Sequence, residues 1–369
     1  MKCLILSITL IMCHLFTNAK NITVVDSYDN STLAGATIIS HNGIILGITN
    51  NNGQININEN QHLPISIRCI GYTPLTIAHT NDTIRMEATS YPLSEVVVST
   101  HERQIRRVLC YIREYCTSTT SQDTLQLYSE HMAAAYGAPN RVKGLKGTDS
   151  TPRSINARHY TRYANSEGKD SIASSDREED IQALSFWNII SSIPFDLIEE
   201  TDKMKNGATS DTIAGKYCNK RILKKLPNCF IDLLDPLADK KDHTWSPWIL
   251  KLLGLTTDFT ELYTSNVYSL NSSRKYGIDD FIYGSFSMKI YGKGKIFKKI
   301  FKIDEPVAIY SLVEVYPIEI TRLTVEEYKE DKENLKEIDF IIPRNITPLT
   351  PEIKSLVDRI ELEKPSKKN

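Results

Sequence analysis

The chain has 369 residues, 41% of them hydrophobic and 24% charged, with a formal net charge of −1. That length suits two or three domains with packed cores. The near-zero charge gives no long-range field toward nucleic acid or an anionic membrane, so a nucleic-acid partner is not expected.

Residues 1–19 read as a secretory signal peptide. Lys2 supplies the positive start, residues 3–16 are mostly apolar, and Thr17-Asn18-Ala19 places small residues for cleavage after Ala19. Two alternatives stand beside cleavage. An uncleaved anchor would need an apolar run of ~20 residues, longer than this one. A lipoprotein signal would acylate Cys13; Leu10 suits that motif, whereas Met12 is too large for the position before the cysteine. No later segment is apolar for long enough to span a bilayer as a helix.

Beyond the signal, five cysteines remain: Cys69, Cys110, Cys116, Cys218 and Cys229. Export would place them where disulfides persist. Cys218 and Cys229 can close a short loop, while an odd total leaves at least one outside any intrachain pair. Cys69, Cys110 and Cys116 are read as buried thiols, the last two sitting about 9 Å apart along an expected helix. The absence of CxxC removes support for thiol redox chemistry and zinc ribbons.

Residues 20–100 carry a β pattern throughout. Asn42-Gly43 and Asn51-Asn52-Gly53 mark tight turns with positive φ. Gln54-Ile55-Asn56-Ile57-Asn58 alternates polar and apolar, and Ile65, Ile67 and Cys69 repeat the alternation. About seven short strands with regular turn signals predict an antiparallel seven-stranded β-sandwich.

Leu33-Ala34-Gly35-Ala36, Gly47 with Thr49-Asn50-Asn51-Asn52-Gly53, Ile70-Gly71-Tyr72 and residues 93–99 give this segment a specific resemblance. It resembles the carboxypeptidase regulatory-like domain, a transthyretin-like (prealbumin-like) sandwich at the N-terminus of many Gram-negative TonB-dependent outer-membrane receptors. Thr23 and Ile55 depart from that pattern, where family members often carry Gly and Phe. The resemblance implies an accessory module of the envelope, in the periplasm or at the outer membrane, and carries no peptidase activity.

A receptor would continue into a plug and a many-stranded barrel, for which the roughly 250 remaining residues are too few. Instead Ile105, Val108, Leu109 and Ile112 fall at helical spacing, with Arg103, Arg106, Arg107 and Arg113 on other faces. A helix over 105–116 is therefore expected, followed by a strand from Asp123. This order also loosely resembles uncharacterised exported proteins that join the module to an α+β region. Residues 148–177 read as a long polar loop. Ile181, Leu184, Trp187 and Ile190 form a helical stripe, and Ser246-Pro247 opens a short helix ended by Gly254. Strands return over 262–320. Thr324-x-x-Glu327 is a capping box, and Thr350-Pro351 opens a last helix carrying Ile353, Leu356, Val357 and Ile360. Residues 101–363 are thus expected to be an α+β domain with an antiparallel sheet, and 364–369 a tail.

Catalytic signatures are missing. The eight histidines lack the spacing of zinc peptidases, with His101-Glu102, His131 and His243 standing singly. There is no Gly-x-Ser-x-Gly elbow, Walker loop or dinucleotide fingerprint; Gly292-Lys293-Gly294-Lys295 cannot wrap a phosphate. Asp26-x-x-Asp29-Asn30 lacks the EF-hand pattern. Asp279-Asp280 and Glu199-Glu200 offer paired carboxylates for glycosidase chemistry, or simply solvated turns and helix ends. Lys293, Lys295, Lys298, Lys299 and Lys302 alternate with Ile296, Phe297, Ile300 and Phe301, either as a lipid-facing patch or as a hairpin with snorkelling lysines. Trp245-Ser246-Pro247-Trp248, among 18 tyrosines, suggests either sugar stacking or core filling. Catalytic residues stay unassigned, and neither a cofactor nor a metal is expected. The reading is an exported envelope protein that binds a glycan or another envelope protein, with peripheral outer-membrane association. The alternatives are a hydrolase of glycan or peptide, and an accessory piece of TonB-dependent uptake.

Overall fold

The computed structural model describes residues 19–58, 63–79, 81–89, 103–139, 141–143, 145, 148, 150–165, 170–172, 193–214, 220–246, 255–295, 298, 305–336, 338–343 and 346–363. Several expectations lie outside these residues. They are the signal segment before Ala19, residues 93–99, His101-Glu102, the stripe Ile181–Ile190, the helix expected over 247–254, Cys218, much of the lysine-rich stretch and the tail. The chain is mostly β and divides into two compact units, Met1–Glu87 and Ala88–Asn369.

The first unit has seven strands, β1 (Ala19–Asp26), β2 (Thr37–Ser40), β3 (Ile45–Ile48), β4 (Gln54–Asn58), β5 (Ile65–Arg68), β6 (Leu75–Ile77) and β7 (Thr83–Met86). They form a three-stranded sheet ordered β4-β1-β7 and a four-stranded sheet ordered β3-β2-β5-β6. All ladders are antiparallel except β1 with β7. That exception departs from the antiparallel expectation, because β7 returns to β1 only after a crossover through the other sheet, which parallel pairing requires. Ile22, Val24, Ile38, Ile39 and Ile67 are fully buried. Gly53 shows why its turn needs glycine: at φ +68° an added Cβ would meet the Val24 carbonyl oxygen at 2.6 Å.

The second unit is organised by one ten-stranded sheet. Its strands are β8 (Ile105–Thr119), β9 (Asp123–Gly137), β10 (Arg153–Asn165), β11 (Asp170–Ile172), β13 (Ser210–Ile213), β14 (Lys220–Lys225), β15 (Cys229–Asp235), β16 (Leu255–Ser269), β18 (Phe281–Gly294) and β19 (Val307–Leu323). The order is β11-β10-β9-β8-β19-β18-β16-β15-β14-β13, antiparallel at every ladder. A two-stranded ribbon pairs β12 (Ile198–Glu199) with β17 (Lys275–Tyr276). Three helices are described: α1 (Asp202–Lys205), α2 (Val325–Glu333) and α3 (Pro351–Glu363). The capping box at Thr324 and Glu327 forms as expected, the Thr324 Oγ1 accepting from the Glu327 N–H.

Two expectations are corrected. Residues 105–116 are not a helix but most of β8, in which all but three of the 15 residues are buried, with Val108, Tyr111 and Ile112 at 0% exposure. A strand buried on both faces shows no period-two pattern, and its apolar residues can fall at helical spacing by chance. Cys110 and Cys116 therefore sit on a strand; together with Cys69 and Cys229 they are thiols. The polar loop expected over 148–177 contains β10, which pairs antiparallel with β9, burying Tyr160 and Thr161 and leaving Arg153, Ser154 and Arg158 exposed.

One face of the sheet is largely apolar. Val108, Cys110, Ile112, Phe230, Phe286, Met288, Ile290 and Val313 meet Ile193, Phe195, Ile198 and Met204 in one cluster. The other face is polar and rich in tyrosine.

Candidate functional site

Strand register arranges the polar face into rows that run across the strands. One row reads Glu261, Lys289, Tyr310, Thr117, Gln126 and Arg162, each directly opposite the next on β16, β18, β19, β8, β9 and β10. Four residues along β8, about 13 Å away at ~3.3 Å per residue, a second row reads Ser285, Glu314, Arg113, Glu130 and Arg158. Between them Leu312, Tyr115, Tyr128 and Tyr160 line up. The Tyr115 and Tyr128 rings are 5.1 Å apart, and Tyr128 stacks on Tyr160 at 5.8 Å.

The second row is saturated. Tyr128 donates to Glu130 at 2.6 Å and Tyr283 to Glu314 at 2.9 Å. Arg113 donates to the Thr347 carbonyl oxygen and through Nε to the Tyr111 hydroxyl at 3.4 Å. Its alternating charges cancel, so the face presents no net charge there. Burial holds the Tyr111 and Tyr128 phenols far above their ordinary value, so they act as neutral donors.

The first row is less complete. Lys289 lies 3.8 Å from Glu261, each side chain 21% exposed. The ammonium sits 5.3 Å from the Tyr310 ring centre and 5.6 Å from that of Tyr291, which is 39% exposed. Glu261 Oε2 has no hydrogen-bond partner among the described residues. Burial pushes the Glu261 carboxyl up to about 7, with Lys289 pulling the other way. Burial alone would lower Lys289, but Tyr310, Glu261 and Tyr291 outweigh it and hold it above its ordinary value. On the neighbouring strand Asp235 is buried, and its Oδ2 likewise lacks a partner among the described residues. Burial, then Asp235 and Glu261, raise the Tyr263 phenol. The arrangement offers aromatic faces, a cation and carboxylate acceptors on one partly open strip.

The residues singled out from sequence do not form these rows. His131 is buried on β9 against His159, ring centres 5.3 Å apart, with Nε2 3.1 Å from Ser129 Oγ. Burial and then His159 hold it down at about 3, so it is a neutral core histidine. His243 is 3.6 Å from Asp235. Glu199 is solvated beside Lys205 and Lys275, as expected. Glu200 instead is buried, accepting from Lys225 at 2.7 Å and Tyr276 at 2.8 Å. Asp279 pairs with Arg106 and Arg322, and Asp280 accepts from the Gly277 N–H at 3.2 Å. Asp26 accepts from the Tyr72 hydroxyl at 2.8 Å and from the Tyr28 N–H, an intradomain role. Trp245 packs on Phe259 and stays 42% exposed, and Ser246 donates to Asp258. Lys293 and Lys295 are exposed at the end of β18. Sequence reasoning missed Glu261, Lys289, Tyr310 and Arg113, whose partners are distant in sequence. The only local trace is the run of tyrosines. No family model matches the chain, and no curated protein matches it.

Proposed function

We propose that this chain is an exported cell-envelope protein that binds a neutral glycan on the tyrosine-rich face of its ten-stranded sheet. In this reading residues 20–100 are a seven-stranded β-sandwich of the carboxypeptidase regulatory-like kind, followed by an α+β domain that carries the site. Support for the module comes from its seven strands and from positive φ at Gly35, Gly53 and Gly71, three glycines among the residues that carry the resemblance. One observation carries the ligand class. Lys289 stands beside the Tyr310 and Tyr291 rings and 3.8 Å from Glu261 on a partly open strip, and the second Glu261 carboxylate oxygen is buried without a hydrogen-bond partner among the described residues. Ring faces stack on the apolar faces of sugars while carboxylate and ammonium take up hydroxyls. The test is calorimetric titration of the full chain with cellohexaose and chitohexaose. Tyr291→Ala is expected to weaken binding about two- to tenfold, from ~0.5–1.5 kcal/mol per aromatic contact. No heat with either sugar, or unchanged affinity in Tyr291→Ala, overturns the reading.

A second reading, a glycan hydrolase, has its own observation. Glu261 at about 7 is poised to give a proton at neutral pH, and Asp235 lies on β15, the strand paired with the Glu261 strand. Release of reducing ends by the wild type and its loss in Glu261→Gln would favour it.

A further inference from the structure

We infer that Asn206, at the C-terminal end of α1, is a self-modification site that ages to aspartate and isoaspartate by attack of the next residue's backbone nitrogen. This chemistry stands apart from the glycan reading. The chain holds three Asn-Gly dipeptides, at 42–43, 52–53 and 206–207. Asparagine is chemically labile, and a glycine after it leaves no Cβ beside the attacking nitrogen. By sequence the three rank alike; their surroundings separate them.

Two are locked. Asn42 Oδ1 accepts from Ser40 Oγ, and the Gly43 N–H donates to the Ser40 carbonyl oxygen at 2.9 Å. The buried Gly53 donates to the Asn50 carbonyl oxygen at 2.8 Å. Asn50 Oδ1 staples the same turn, accepting from the N–H groups of Asn52 and Gln54. The Val24 carbonyl oxygen stands 2.6 Å from where a Gly53 Cβ would lie, so this turn is walled in.

The third is open. Asn206 and Gly207 are both exposed, and no atom lies within 4 Å of the place a Gly207 Cβ would take. Gly207 holds φ +106°, and Asn206 is the C-cap of a helix of only four residues. Among the described residues the Asn206 side-chain amide makes no hydrogen bond. The Gly207 and Ala208 N–H groups bond back into the last turn, to the carbonyl oxygens of Met204 at 3.1 Å and Lys203 at 3.0 Å. Exposed helix ends of this kind fray, which frees the Gly207 nitrogen to swing toward Asn206 Cγ.

The reaction needs only water. The Gly207 nitrogen loses its proton and bonds to Asn206 Cγ; the Cγ–Nδ2 bond breaks and ammonia leaves, closing an imide ring. Water then opens the ring at one of its two carbonyls. Opening at Cγ gives aspartate, and opening at the main-chain carbonyl gives isoaspartate, with an extra carbon in the backbone. Both add a negative charge beside the carbonyl oxygens that end α1, where the helix disfavours one. Isoaspartate also displaces the bonds to Met204 and Lys203. Met204 is 3% exposed and packs with Ile193, Phe195 and Ile198, so the ageing loosens a turn that anchors in the apolar cluster.

In the experiment the full chain is aged in mildly acidic and mildly alkaline buffer, folded and in urea. Peptide mapping by mass spectrometry reads the conversion at each dipeptide. In urea the three should convert at similar rates. In the folded chain Asn206 should convert at least about tenfold faster than Asn42 and Asn52, which react only through opened states. It should also convert faster in alkali, because the attacking nitrogen must shed its proton. Hydrogen exchange over 202–208 should quicken in the converted protein, and less so in Asn206→Asp, which carries the charge without the extra backbone atom. Equal rates at the three sites of the folded chain, or no conversion at Asn206, overturns the assignment. Exchange over 202–208 that is no faster in the converted protein overturns the loosening of α1.

Discussion

Replacing Glu261 by Gln is expected to change how stability depends on pH. Burial lifts the Glu261 carboxyl from 4.5 to about 7, and its side chain is only 21% exposed, so solvent screening is modest. The folded state then holds this proton more tightly than the unfolded chain does. Stability from this group is present below about pH 4.5 and is lost as pH rises through about 7. At ~1.36 kcal/mol per pH unit the loss at pH 8 is about 3 kcal/mol. His131 works in the opposite sense. Lowered from 6.5 to about 3, it contributes fully above pH 6.5 and loses its contribution as pH falls toward 3. The wild-type curve is therefore a dome, with Glu261 shaping its alkaline side. In Glu261→Gln, Lys289 keeps its two tyrosine rings and is not stranded. Urea unfolding of wild type and variant at about pH 5, 6, 7 and 8 isolates the effect, because the histidine contribution cancels in the difference. The variant should gain about 2–3 kcal/mol on the wild type between pH 5 and 8. A difference that stays flat or shrinks over that range refutes the placement of Glu261 as a buried, weakly paired acid.

Two further outcomes test the fold. Gly53→Ala forces a side chain into φ +68° against the Val24 carbonyl oxygen, and should destabilise the first unit by at least about 2 kcal/mol in thermal unfolding. Arg221 holds Asp232 with two bonds of 2.6 Å, and the Asp232 side chain is 0% exposed. Arg221→Met should cost about 3–5 kcal/mol, and the double variant with Asp232→Leu should regain most of it in the same urea assay.

The turns of the first unit were legible because their signals are local. Asn42-Gly43 and Asn52-Gly53 announce their turns through residues that tolerate positive φ, and both glycines adopt it, at 77° and 68°. The starts of α2 and α3 were legible for the same reason, since Thr324 with Glu327 and Thr350 with Pro351 act within one turn. The parallel pairing of β1 with β7 was not, because it depends on where the chain returns after some sixty residues.

β8 shows why the second unit resisted reading. Its solvent-averse residues alternate not between apolar and polar but between two kinds of burial. Val108, Cys110 and Ile112 face the apolar cluster, while Tyr111, Arg113 and Tyr115 face the tyrosine lattice. A pattern detector built on water contact sees arginine as exposed and so hears a helix. Arg113 is 5% exposed because Glu130 and Glu314 flank it in register and the Thr347 carbonyl oxygen accepts its hydrogen bond. That environment is assembled from three segments, the nearest 17 residues and the farthest 234 residues away along the chain. The same holds for the candidate site. Glu261, Lys289 and Tyr310 acquire their chemistry only when β16, β18 and β19 lie side by side. Neither the raised carboxyl nor the ring-flanked ammonium is a property of any window of sequence, so a polar face buried in a wide sheet is where local reading must fail.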